Sequence, residues 1–271
     1  MKTEELMERI CLPAEARELA RTERIGGKEY DIWKEKFYQD IRKFIMEWKE
    51  LDNRYEWALE FYLKLALETY AQYQERGYTD EVFDATFYDY TIWCRECYRK
   101  HGVYGLDELW WLGQAVKMNL FRLGRLQFEP VVTKKDMKGK TQTIPAGTKA
   151  LNVHIPEGEP LLMEACQESF RRAEEFFGGE YPVYVCDSWL LSPHLKEILP
   201  ETSNIVRFQE LFEVTEVGYQ YPQAEQRIFG DVLEDKRQYP EETSLQRKAK
   251  AYVLSGRDLG IGVGYFTRPV S

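Results

Sequence analysis

The chain has 271 residues, enough for one large domain or two ordinary ones. An apolar fraction of 44% and an aromatic fraction of 14% supply a sizeable core and exclude a disordered chain. The formal net charge of -9 argues against nucleic acid as a partner, and no run approaches the roughly 18 apolar residues that a membrane span needs.

The segment Met1 to Arg9 mixes acids and bases without an apolar stretch, so no signal peptide is expected. Five cysteines without framework spacing fit a reduced, cytoplasmic setting. Trp33, Phe37, Ile41, Phe44, Trp48 and Leu51 recur every three or four positions and form one helical stripe. Asn53 offers a cap to a second helix running towards Gly77. Thr79 caps a third, striped by Phe83, Phe87, Tyr90, Cys94 and Cys97 and stopped at Gly102. Asp107 opens a fourth along Leu109, Leu112, Val116 and Leu120. Aromatic stripes and short connections predict a helical bundle over 1–123.

The period changes at Arg125. Arg125 to Glu129 alternates polar and apolar, as do Leu151 to Ile155, which predicts an antiparallel hairpin around the Gly- and Lys-bearing turn 134–147. Pro160 suits the first position of a helix that ends at Gly178-Gly179. Tyr181 to Leu191 reads as a strand covered on both faces, and Ile205 to Val214 as an alternating strand. A helix over 243–255 precedes a glycine-rich strand, Gly260 to Phe266. Strands alternating with helices after a hairpin predict a mixed sheet over 124–271.

Cys94 and Cys97 form a CxxC, but they lie on their helix's apolar stripe and no second pair exists, so core packing is expected. The glycines of Gly260-Ile261-Gly262-Val263-Gly264 follow a helix rather than precede one, which fits close packing better than nucleotide binding. The hairpin's polar face carries Arg125, Gln127, Glu129, Asn152 and His154. His154 beside Glu129 is a candidate base; the same pattern also describes the wet side of a strand pair. Glu210 falls in register with Val206, Phe208 and Phe212, so a regular strand buries it as a second candidate base, while a bulge turns it outward. Asp187 and Ser188 end the apolar strand, where they face a ligand or cap the next turn. The strand-to-helix stretch Pro156 to Leu161 is the place for an anion, though two prolines and two glutamates weaken it. Arg247 and Lys248 add charge from the last helix or form its solvated face.

Four stretches, LFRLGRLQFEP (120–130), LNVHIPEGEPL (151–161), CDSWLLSPHLKEILPETSNIVRF (186–208) and TSLQRKAKAYVLSGRDLGIGVGYF (243–266), resemble a family of bacterial acyltransferase-domain proteins. Its members pair a helical N-acyltransferase N-terminal domain with a GNAT-like C-terminal domain. The resemblance implies an α+β fold, with a helical bundle over 1–123 and a GNAT-like sheet domain over 124–271. It further implies transfer of an acyl group from acetyl-CoA or another acyl-CoA to an amine on a small molecule or peptide. Laid on the GNAT plan, His154 takes the amine proton with Glu129 alongside, and Glu210 is the alternative. Donors around Ser188 and Trp189 face the oxyanion. Gly158 and the helix start near Leu161 face the pyrophosphate, and Arg247 and Lys248 supply charge. The family's usual loop, an Arg or Gln followed by spaced glycines, is absent here, since Ile155 to Leu161 offers only Gly158. A non-catalytic ligand-binding or protein-interaction module of the same fold is the alternative.

Overall fold

A computed structural model describes residues 1–267. The chain forms two compact units, Met1–Leu123 and Gly124 onward.

In the first unit, helices α1 (Thr3–Arg9), α2 (Ala14–Ala20), α3 (Gly27–Gln39), α4 (Ile41–Trp48), α5 (Arg54–Glu75), α6 (Asp80–Phe87), α7 (Asp89–His101) and α8 (Leu109–Val116) precede a short strand, β1 (Phe121–Leu123). The stripe from Trp33 to Trp48 does not lie on one helix. Asp40 takes an extended conformation, and its carboxylate accepts hydrogen bonds from the amides of Arg42 and Lys43, so it ends α3 and caps α4. Both helices still face one aromatic core, in which Trp33 meets Trp48 at 5.1 Å and Phe44 stacks on Phe61 at 5.4 Å. The third predicted helix is likewise two, α6 capped by Thr79 Oγ1 at 3.4 Å from Val82 N, then α7 ending on left-handed Gly102. Asn53 precedes α5 but its side chain makes no capping bond. Glu60, buried on α5, accepts from the amides of Arg24 and Ile25 and pairs with Lys64 at 2.9 Å, so its charge is compensated. Cys94 and Cys97 are buried in α7, and burial pushes each thiol up to about 12.

The second unit runs β2 (Leu126–Val132), β3 (Met137–Lys138), β4 (Thr143–Ile144), β5 (Lys149–His154), α9 (Met163–Phe176), β6 (Val183–Ser188), a 3-10 turn (Trp189–Leu191), α10 (Leu195–Ile198), α11 (Asn204–Gln209), β7 (Glu213–Gly218), α12 (Gln223–Phe229), a second 3-10 turn (Lys236–Gln238), α13 (Ser244–Leu254) and β8 (Ile261–Thr267). Its sheet order is β2-β5-β6-β8-β7, with β5 and β6 parallel and the other neighbours antiparallel. Phe170 of α9 covers one face, meeting Phe128, Tyr184 and Phe266 at 5.8, 5.0 and 5.1 Å. The β3–β4 flap covers part of the other, where Met137 and Ile144 pack on Ala150, Val183 and Tyr265. The flap's tip is tied to β7 through Glu213, whose carboxylate accepts from the Lys140 amide, Thr141 Oγ1 and Tyr265 Oη.

Three predicted boundaries are corrected. The strand expected over 205–214 is α11 followed by β7. Val206 and Gln209, three apart, both point inwards, and Gln209 Nε2 donates to the carbonyls of Leu190 and Ser192 at 2.7 Å each, a contact only a helix places there. The helix expected from Pro160 begins at Met163, because the Leu162 amide bonds back to the Pro160 carbonyl in a turn. The apolar run 181–191 yields a strand only over 183–188, since Ser188 caps the 3-10 turn that follows.

The glycine-rich end strand is explained by contact distance. A Cβ on Gly262 would stand 2.2 Å from the Leu191 carbonyl oxygen, so β8 reaches the 3-10 turn only without a side chain there. Gly262→Ala is expected to destabilise the second unit by about 1–3 kcal/mol through overpacking, read as a lowered midpoint in urea unfolding.

Candidate active site

Pairing of β2 with β5 sets Gln127 opposite His154 and Glu129 opposite Asn152, so alternation puts all four on one sheet face. That face is not open to solvent. Arg125 and Gln127 are buried, and the Glu129 and His154 side chains keep only about a fifth to a quarter of their exposure, at 21% and 24%. Glu129 Oε2 lies 3.0 Å from His154 Nε2 and 3.1 Å from Asn152 Nδ2. Two donors converge on one carboxylate oxygen. Asn152 Nδ2 also lies 3.1 Å from His154 Nε2, so carboxylate, amide and imidazole form one hydrogen-bonded cluster. Burial alone would raise the Glu129 carboxyl. The hydrogen bonds from His154 and Asn152, helped by the charges of His154 and Lys134, outweigh it and hold Glu129 below its ordinary value.

The pairing of β5 with β6 is short. Ala150, Leu151 and Asn152 match Val183, Tyr184 and Val185, and the ladder stops there. β5 continues to His154 against β2, and β6 continues to Ser188 against β8. The sheet therefore forks between its two parallel strands, at their C-terminal ends, with His154 on one arm and Asp187 on the other. Asp187 shares the face of Val183 and Val185. Burial pushes its carboxyl up and Glu216 adds to this, against Lys135 and His154.

The other predicted residues are distributed differently. Ser188 is buried and its hydroxyl accepts from the Leu190 amide at 3.2 Å, while the Trp189 amide donates to Gln223 Oε1 at 2.8 Å. The Ser188 hydroxyl thus accepts within the 3-10 turn, and the Trp189 amide is held by Gln223 of α12. Glu210 ends α11, exposed, and is not on a strand, so it is neither a buried base nor near the hairpin in register. Gly158 is exposed with a φ of 132°, and Leu161 is buried. The loop between them and β5 is organised by Arg125, which sequence reading placed on the polar face without a role. Its Nη1 donates to the Pro156 carbonyl at 2.9 Å and its Nε to the Glu159 carbonyl at 2.8 Å. Leu162, at the N-cap of α9, has no polar side chain with which to cap the helix. Arg247 turns its guanidinium onto the carbonyls of Glu241 and Glu242 just before its own helix, and Lys248 is exposed on α13. Gln223 of α12 had no signal in the sequence, since its role depends on a contact 34 residues away.

A mixed sheet in this order, forked between parallel strands and backed by α9, defines a GNAT-like fold. The chain belongs to the family in which an N-acyltransferase N-terminal domain, matched over residues 1–118, precedes a GNAT-like C-terminal domain, matched over residues 120–266. Solved acyltransferase structures share the fold. One in complex with decanoyl-CoA and teicoplanin has a TM-score of 0.78 at 24% identity, over 98% of this chain and 88% of that one. A mutant acyltransferase in complex with octanoyl-CoA, and an acyltransferase with CoA and 10C-teicoplanin, each have a TM-score of 0.79 at 24% identity with the same coverage. No curated protein matches the chain. Among the described residues no helix is long and apolar enough to cross a membrane.

Because the Glu129 carboxyl sits below its ordinary value of 4.5, its contribution to stability is complete above that value and is lost as pH falls through the depressed folded value. Glu129→Gln should therefore lower the melting temperature at about pH 7, and the difference from the parent protein should shrink as the pH falls below the ordinary carboxyl range, as measured by scanning calorimetry.

Proposed function

We propose that the protein transfers an acyl group from an acyl-CoA to an amine on a small molecule, with His154 as general base. The observation that carries this reading is the Glu129–His154 pair at the mouth of the fork between β5 and β6. A gap between two parallel strands exposes backbone groups that can bond an extended amide-bearing arm such as pantetheine. The family supports the class of reaction, and structures of the same fold hold octanoyl-CoA and decanoyl-CoA, which favours a medium-length acyl chain. Teicoplanin in two of them favours a small-molecule acceptor over a protein.

In this reading the amine attacks the thioester carbonyl. The new C–N bond forms, the C–S bond breaks, and the proton lost by the amine passes to the His154 imidazole. Glu129 holds the ring through Nε2 and stabilises the imidazolium as it forms. The thiolate leaves and takes a proton from solvent. The first turn of α9, whose N-cap Leu162 makes no side-chain capping bond, meets the pyrophosphate.

The same loop also supports the second reading, a GNAT-like module without catalysis. Its Pro156 and Glu159 carbonyls face Arg125, and exposed Glu157, Glu159 and Glu164 crowd the helix start with negative charge. A thermal-shift titration separates the two. Octanoyl-CoA at about 100 times its dissociation constant should add about 2.7 kcal/mol, several degrees of melting temperature. No shift with any acyl-CoA at millimolar concentration would favour the module. With a responsive amine found by screening, His154→Gln should lower kcat by about 10²–10⁴ and leave the KM for acyl-CoA unchanged.

A further inference from the structure

Beyond the fork, the C-terminal end of β6 runs through its 3-10 turn to His194, and the end of β7 at Gly218 leads to Tyr219. A phenol, an imidazole and a carboxylate fall into line there. His194 Nε2 is 2.9 Å from Tyr219 Oη, and His194 Nδ1 is 2.8 Å from Glu197 Oε1. Arg257 Nη1 donates to Glu197 Oε2 at 2.9 Å, and Tyr252 Oη donates to Oε1 at 3.3 Å. The hydrogen bond from His194 comes first among the causes that hold Glu197 below the usual carboxylate range. Facing an ionised carboxylate, the neutral ring of His194 carries its proton on Nδ1 and turns the lone pair of Nε2 to the phenol. Arg257 lies over the Tyr252 ring at 3.8 Å, which fixes the far side of the cluster. The Tyr219 ring is backed by Gly260, where a Cβ would come within 2.8 Å of it, and the residue is 51% exposed.

This is the order of groups that activates a hydroxyl nucleophile: an accessible O–H, a base that accepts from it, and a carboxylate that orients the base. We propose that Tyr219 is an acyl-acceptor site, a phenol activated by His194 and Glu197 that attacks activated acyl esters and thioesters. The Tyr219 proton passes to His194 Nε2 as the phenol oxygen bonds the acyl carbon. The bond from that carbon to the leaving oxygen or sulfur breaks, and the leaving group takes the proton from His194 or solvent. The product is an aryl ester on Tyr219. The site shares no residue with the Glu129–His154 pair and does not depend on acyl-CoA binding at the fork.

The test treats the full chain with p-nitrophenyl acetate, which needs no coenzyme A site, and maps acetylated peptides by mass spectrometry over time. Tyr221 and Tyr98, exposed by 49% and 48%, are internal references of equal accessibility. Tyr219 should acquire an acetyl group faster than both, and His194→Gln should slow that labelling about a hundredfold while the references are unchanged. Glu197→Gln should slow it by less. Labelling of Tyr219 no faster than Tyr221 and Tyr98, or at the same rate in His194→Gln, would overturn the proposal. Circular dichroism of each variant checks that the fold is retained.

Discussion

Strands β5 and β6 share a ladder over three residue pairs and then part. The acyl transfer proposed at His154 depends on that parting. A strand edge left without a partner exposes amides and carbonyls that must be satisfied elsewhere, so a sheet splits only where both arms are firmly held. Here β2 holds one arm as far as His154 and β8 holds the other as far as Ser188. The second hold depends in turn on Gly262, which lets β8 pass against the Leu191 carbonyl, and on Gln209, which binds the carbonyls of Leu190 within the turn and Ser192 just after it. The tips of the fork are thus fixed by packing and backbone contacts that involve neither His154 nor Asp187.

Much of this was legible in the sequence because it is periodic. Alternation over 125–129 and 151–155 implied an antiparallel hairpin, and the structure pairs Glu129 with Asn152 and sets His154 one step further along the same face. The apolar stripes of the first unit reached the core as expected. Their breaks at Asp40 and Tyr88 were hidden because the helices on either side of each break keep facing the same aromatic cluster. Periodicity misled where a segment was short. Val206, Phe208 and Phe212 fit a period of two, yet six residues are too few to separate a strand from a helix, and the side-chain bonds of Gln209 decide the matter.

The functional groups divide along the same line. His154 and Glu129 meet across neighbouring strands, so register alone unites them. Ser188 and Trp189 stood at a strand end, which suggested ligand contact; the Ser188 hydroxyl caps the 3-10 turn and the Trp189 amide bonds Gln223. The Tyr219–His194–Glu197 line had only one local trace, the three-residue spacing of His194 and Glu197. Its third member arrives from 25 residues away, at the end of another strand.

The Arg125 guanidinium has a consequence for the loop it organises. In a trans peptide the carbonyl and the N–H point in opposite directions, and none of this chain's described peptide bonds is cis. Drawing the Pro156 carbonyl inwards therefore turns the amide of Glu157 outwards, whereas drawing in the Glu159 carbonyl turns out only the ring nitrogen of Pro160, which has no hydrogen. The buried cation thus acts as a dipole selector: of the two peptide units that it anchors, only that of Glu157 presents an N–H outwards.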